Sequence, residues 1–120
     1  EAFRERGGEN KPVIVKYQLS YSKSEKTALD AAHDEWKTNV FDSKMLSELR
    51  TPEEFQAAGQ FVQKDEMFEH VKISSDLAKH RAWIEEYLAL GLHELILHNV
   101  NTEQEEFIGA FGKKVLPKLK

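Results

Sequence analysis

"GLHELILHNVN", residues 91–101, decides how this chain is read. Two histidines, a glutamate and a run of aliphatics come close to the His-Glu-x-x-His pattern of a helical zinc site. That pattern works because ligands four positions apart share one helix face. Here His98 follows His93 by five positions, and Leu97 stands where the second ligand belongs. On a helix this spacing rotates the second ring away from the first. On a strand an odd spacing puts the two rings on opposite faces. Gly91 before the run and Leu95-Ile96-Leu97 inside it indicate a short buried strand. No other His or Cys stands nearby to complete a site, so no metal is assigned.

A second strand lies toward the N-terminus. "EAFRERGG" reads as a helix stopped at Gly7-Gly8, and Pro12 then opens "VIVKYQLSYS". Val13, Val15, Tyr17, Leu19 and Tyr21 alternate with Ile14, Lys16, Gln18, Ser20 and Ser22, giving one apolar and one largely polar face. Ser22 and Glu25 have the spacing of a capping box, followed by a helix with Ala28, Leu29, Ala32, Trp36 and Val40 on one face. "FDSKMLSELR" reads as a connection. Thr51-Pro52-Glu53-Glu54 combines an N-cap, a first-turn proline and a capping-box glutamate, and Phe55, Ala58 and Val62 form the stripe that follows.

"HVKIS" is a short extended piece, and Ser75 or Asp76 starts a helix whose buried side is Leu77, Ile84, Tyr87 and Leu88. After the opening strand, "NTEQEEFIGAFGKKVLPKLK" places acidic residues in its first turn and lysines in its last, matching the helix dipole. Its stripe is Phe107, Ile108, Phe111, Val115 and Leu119. The alternation of strands and helices is that of parallel βα units.

Bulk properties narrow the function classes. The chain has 120 residues, room for a single domain with a modest core. Its 17 basic and 21 acidic residues give a net charge of -4 without a clustered basic face, which argues against nucleic acid. Cysteine is absent, excluding disulfides and thiol chemistry. No apolar run reaches the roughly 18 residues of a membrane span and no signal peptide opens the chain, so a cytoplasmic location is expected. Glu1 falls inside a helix-like stretch, as expected of a piece of a longer polypeptide.

"VKYQLSYS" with "ALDAAHDEWKTNVF", then "VKISSDLAKHRAWIEEYLALGLHELILHNV", then "EEFIGAFGKKVLPKL", in this order and spacing, resemble the C-terminal third of the bacterial-luciferase-like flavin and deazaflavin oxidoreductases. The likeness is closest to the branch of deazaflavin-dependent glucose-6-phosphate dehydrogenases and runs from Lys11 to Leu119. It implies an α/β fold in which residues 1–120 supply the seventh and eighth strands of a (β/α)8 TIM barrel with their helices. Such barrels need roughly 250 residues, so the barrel is incomplete in this chain. The activity implied is hydride transfer between FMN or the deazaflavin coenzyme F-420 and a small organic substrate. The strands that hold most of the cofactor in the family are missing, so no cofactor is expected on the isolated chain.

In a barrel the chemistry lies at the carboxyl ends of the strands. The resemblance therefore makes Gln18, Ser20, His98 and Asn99 candidates for the mouth, with no catalytic residue assigned. An antiparallel sheet with one wet face fits the same alternation, and a histidine hydrogen-bonded to a neighbouring carbonyl fits His98. Ser74 and Ser75 precede a helix and could hold an anion at its amides, or simply cap it. In the sugar-phosphate branch a lysine and an arginine hold the phosphate. Lys44 lies near the first place and His70 stands at the second, where a neutral imidazole gives no bidentate clamp. Trp36, Trp83 and Tyr87 are expected to pack on helices, and "KHR" at 79–81 to form a solvated face, with His33 and His80 at the surface. The expected partners are a homo-oligomeric copy or the missing barrel segment. A competing reading is a stand-alone, non-catalytic α/β module that self-associates.

Overall fold

A computed structural model describes residues 1–119. Three parallel strands form one sheet in the order β2-β1-β3, with β1 Ile14–Tyr21, β2 Lys72–Ser74 and β3 Glu94–Asn99. The helices are α1 Glu25–Trp36, α2 Ser43–Glu48, α3 Pro52–Gly59, α4 Leu77–Leu88 and α5 Gln104–Lys114. All pairing is parallel, which excludes the antiparallel alternative.

The order of the strands dictates which face each helix takes. The chain leaves β1 for one neighbour, β2, and returns past β1 to the other, β3. Crossovers of one hand that run in opposite directions across a sheet must lie on opposite faces. Accordingly α1 packs on one face and α4 on the other, joined there by α5. On the second face Tyr17, Leu19 and Tyr21 meet Ile84, Phe111 and Val115, with Leu95, Leu97, Trp83 and Tyr87 packed around them. On the first face Ala28 and Ala32 of α1 gather Met67, Val71, Ile73 and Val100 near the carboxyl end of the sheet.

Toward the amino end of the sheet the first face is open. The register places Ile14 beside Glu94, Lys16 beside Ile96 and Gln18 beside His98. Ile14 is 54% exposed and Ile96 44%, so two aliphatics lie on this face with little cover. β2 pairs with β1 only at Leu19, Ser20 and Tyr21. Hence β1 is a central strand along its carboxyl-terminal end, whereas Ile14–Gln18 has no strand partner on the β2 side among the described residues.

Several local expectations are corrected. α1 is capped by Ser24, whose hydroxyl accepts from the Thr27 amide, and Ser22 is buried instead of capping. The connection before Thr51 contains α2, capped by the Asp42 carboxylate on the Met45 amide. Ile108 is 66% exposed because Phe107, Phe111 and Val115, four apart, already fill the buried stripe of α5. The Thr51 cap forms as its residues indicate, Glu54 donating its amide to the Thr51 hydroxyl and accepting from the Arg50 amide. Gly91, after α4, has φ +71°, a conformation that L side chains rarely adopt.

Phe111 is fully buried between Tyr21, His80 and Phe107. Phe111→Ala is expected to lower unfolding stability by about 3–5 kcal/mol, read from urea denaturation. A loss under about 1 kcal/mol would mean that α5 does not hold the sheet as described.

Candidate functional site

The carboxyl ends of β1 and β3 meet in a closed knot of hydrogen bonds. The Asn99 side chain accepts from the Tyr21 amide at 3.2 Å and donates to the Asn101 carbonyl oxygen Oδ1 at 2.8 Å. Asn101 in turn donates to the Ser20 hydroxyl and the Tyr21 carbonyl, and its Oδ1 accepts the Glu103 amide. The Ser20 hydroxyl donates a hydrogen bond to the Ala28 carbonyl at 2.7 Å. Gln104 closes the ring by donating to the carbonyls of Asn99 and Asn101. All three side chains, Ser20, Asn99 and Asn101, are buried.

Two of the expected mouth residues, Ser20 and Asn99, are thus engaged inside the protein. In open parallel sheets the crevice at the carboxyl ends of strands that leave in opposite directions is where ligands sit. Here the chain's own asparagines fill it. Asn101 was not singled out from sequence, although an Asn-x-Asn just past an apolar strand was a usable signal, since such side chains bond nearby backbone.

His98 and Gln18 occupy the other part of the expected mouth, side by side on the open face. The His98 ring stands edge-on to Trp36, with centroids 5.0 Å apart and planes at 79°. Its Nδ1 is buried with no partner. Burial, and then the Lys16 ammonium, lower its pKa below the ordinary histidine value. The ring is therefore neutral near pH 7, and Lys16, Gln18, Ile96 and His98 form a mixed polar and apolar wall.

The anion candidates are not brought together. Ser74 is fully buried, its hydroxyl donating to the Glu25 carboxylate and accepting the Asp76 amide. Asp76 caps α4 by accepting from Ala78. Ser75 is half-buried beside them. Two carboxylates, Glu25 and Asp76, therefore flank the start of α4, a poor setting for an anion. Lys44 is exposed in the first turn of α2, where its carbonyl accepts from Ser47.

His80 overturns the reading of "KHR" as a wholly solvated face. Lys79 is exposed and Arg81 pairs with Glu85, but His80 is fully buried. It follows Leu77 by three and precedes Ile84 by four, so it lies on the helix's buried stripe, a spacing visible in the sequence. Its Nε2 lies 2.8 Å from the Ser74 carbonyl, and its ring packs against Tyr21, Trp83 and Phe111. A carbonyl only accepts, so Nε2 carries the proton and Nδ1 is left without a partner. His33 is half-buried, its Nε2 2.8 Å from the Val62 carbonyl.

No family model matches this sequence. The chain is 26% identical over 106 residues to an F420-dependent glucose-6-phosphate dehydrogenase of Amycolatopsis mediterranei, covering 88% of this chain and 32% of that relative. A dehydrogenase of the same name from Microbacterium testaceum is 23% identical over 108 residues, covering 90% and 32%. The chain spans about a third of the length of these curated relatives. It is similar to part of F420-dependent oxidoreductases. The similarity runs through both long strands and through the wall that His98 shares.

Two neutral histidines set an acid limit to stability. The pKa of His80 is lowered chiefly by burial, against smaller upward pulls from the Ser74 carbonyl and Asp76, and that of His98 is lowered by burial and Lys16. In the unfolded chain each ring takes up a proton as pH falls through 6.5, the ordinary value, while the folded chain resists. The unfolded state then binds more protons, so stability falls as pH drops below 6.5 toward the folded pKa values and is unaffected by these rings above it. The urea midpoint is expected to decline in that window. His80→Gln keeps a donor for Ser74 and cannot titrate, so it should flatten the decline, and an unchanged slope would place the acid sensitivity elsewhere.

Proposed function

We propose that this chain is the C-terminal βα portion of a deazaflavin-dependent, luciferase-like oxidoreductase that moves hydride between the coenzyme and a small organic substrate. The observation that carries the reading is the match to two F420-dependent dehydrogenases along about nine tenths of the chain. The geometry agrees with it: β1 and β3 are parallel neighbours, and α4 and α5 both cover the same face of them. In a barrel that face is the outside, and Lys16, Gln18, Ile96 and His98 line the interior, Gln18 and His98 being nearer its mouth. Residues 22–76, with α1 to α3 and β2, then form an insertion at the carboxyl end of β1.

The residues present supply one wall and no enclosure for a coenzyme. The crevice between β1 and β3 is filled by Asn99 and Asn101, and no glycine-rich turn offers amides to a phosphate. No chemical step is therefore assigned to these residues. The sugar-phosphate specificity of the relatives is not carried over, because Lys44 stands apart and Glu25 and Asp76 surround Ser74. FMN is the alternative coenzyme. No helix among the described residues is long and apolar enough to cross a membrane.

A stand-alone self-associating module is the second reading, favoured by the exposed Ile14 and Ile96 on the open face. The 120-residue chain alone is expected to leave the fluorescence of both F-420 and FMN unchanged on titration. The longest natural polypeptide containing these residues is expected to bind F-420. Failure of that polypeptide to bind would overturn the oxidoreductase reading. In the same polypeptide, His98→Ala should lower kcat/KM by roughly tenfold or more without moving the unfolding midpoint. Unchanged kinetics would reduce His98 to a packing partner of Trp36.

A further inference from the structure

We infer that the outer edge of β3 is an interaction surface for a second copy of this chain, the two β3 strands pairing antiparallel about a two-fold axis through Ile96. The inference concerns the 120-residue chain by itself; in the closed barrel of the proposed function, which has no free edge, the same edge would pair with another barrel strand. β3 pairs with β1 on one side and has no strand on the other among the described residues. An unpaired edge of this length, without proline and with Leu95-Ile96-Leu97 at its centre, is a template for another strand.

The backbone fixes which groups are available. The Val100 amide donates to the Leu19 carbonyl of β1 at 2.8 Å, and at the start of the strand the Val13 carbonyl accepts from both His93, at 2.9 Å, and Glu94, at 3.4 Å. By the alternation of a parallel ladder, the even-numbered residues of β3 turn their peptide groups toward β1, and Leu95 and Leu97 turn theirs outward, the Asn99 carbonyl being taken by Gln104. Pairing about Ile96 sets Leu95 against Leu97 of the second copy, and these outward groups exchange both hydrogen bonds. Ile96 then faces its own copy in a non-hydrogen-bonded pair, where side chains approach most closely.

The side chains favour the same register. On the open face, Ile96 meets Ile96, flanked on both sides by Glu94 opposite His98, an acceptor facing a potential donor. On the covered face the Leu95–Leu97 pairs extend the apolar cluster that already contains both leucines. Centring the pair on Leu97 instead sets Leu95 against Asn99 and Ile96 against His98. Centring it on Leu95 sets Glu94 against Ile96. The open edge of β1 is less suited. Its unpaired stretch Ile14–Gln18 is centred on Lys16, which a two-fold would place opposite its own copy, and residues Phe68–Lys72 crowd that edge, leaving a notch of about 190 Å³.

The absence of cysteine makes the register directly testable in the 120-residue chain. Sedimentation at tens of micromolar should give twice the 13.9 kDa chain mass. Ile96→Cys should oxidise rapidly to a covalent dimer, because non-hydrogen-bonded pairs bring Cα atoms to about 4.5 Å. Ile14→Cys, more exposed on the same face but on β1, which β3 separates from the axis, should not. Ile96→Lys should give a folded monomer by circular dichroism and sedimentation, and Glu94→Lys should weaken the dimer by roughly tenfold. A monomeric parent chain, a dimer indifferent to Ile96→Lys, or equal cross-linking of the two cysteine variants would each overturn the inference.

Discussion

The knot that joins Ser20, Tyr21, Asn99 and Asn101 is the constraint on which the rest of the structure depends. It ties the carboxyl ends of the two long strands to each other, α1 to β1 through the Ala28 carbonyl, and the start of α5 to β3 through Glu103 and Gln104. Each hydrogen bond contributes only about 1 kcal/mol net, but leaving one of these buried groups unpaired costs about 1–3 kcal/mol. Because the groups are buried and mutually satisfied, any slip of β3 along β1 breaks several at once. Aliphatic contacts between Leu95, Leu97 and the helices would tolerate such a slip better, since they lack direction.

That fixed register has consequences for both faces. On the covered face it brings Tyr17, Leu19 and Tyr21 under α4 and α5, where Tyr17 meets Tyr87 edge-on at 5.2 Å and Tyr21 meets His80 and Phe111. The Tyr17 hydroxyl has no partner there, and burial, then Tyr87 and Glu86, drives its pKa upward, so it is a neutral phenol under all ordinary conditions. On the open face the same register lines up Lys16, Gln18, Ile96 and His98 as a wall without an opposing wall. The knot also removes Ser20 and Asn99 from any ligand. Of the four expected mouth residues, Gln18 and His98, next along the strands, are the two outside the knot.

The surface away from the sheet is organised by weaker, exposed interactions. Asp30 sits between Lys26 and Lys64, whose hydrogen bonds bring its pKa down to about 2. The group is solvated, so the pair orients the loop at Lys64 against α1 more than it stabilises the fold. Buried Met67 and Val71, packed against Ala28 and Ala32, are the stronger link between that loop and α1. Together they carry the chain from α3 back to β2, which is only three residues long and leaves most of β1 open on that side.

Much of the fold was legible because its signals are local. Alternation along residues 13–22, the Thr51 cap, Gly91 after α4 and the odd spacing of His93 and His98 each depend on a few neighbouring residues and backbone geometry. The reading failed where a residue's environment comes from distant chain. His80 looked solvated between Lys79 and Arg81, yet the α4 stripe turns it onto Tyr21 and Phe111. Ser20 and Asn99 stand at the carboxyl ends of their strands, but that Asn101, distant from Ser20 in sequence, bonds to both is not visible in local sequence. Sequence alone determined the strands, most of the helices and the mixed αβ character, because side-chain periodicity follows directly from helix and strand geometry. Tertiary structure alone decided the order β2-β1-β3, the closed crevice and the open edge of β3, because hydrogen-bond partners and neighbouring strands are set by how the chain returns on itself.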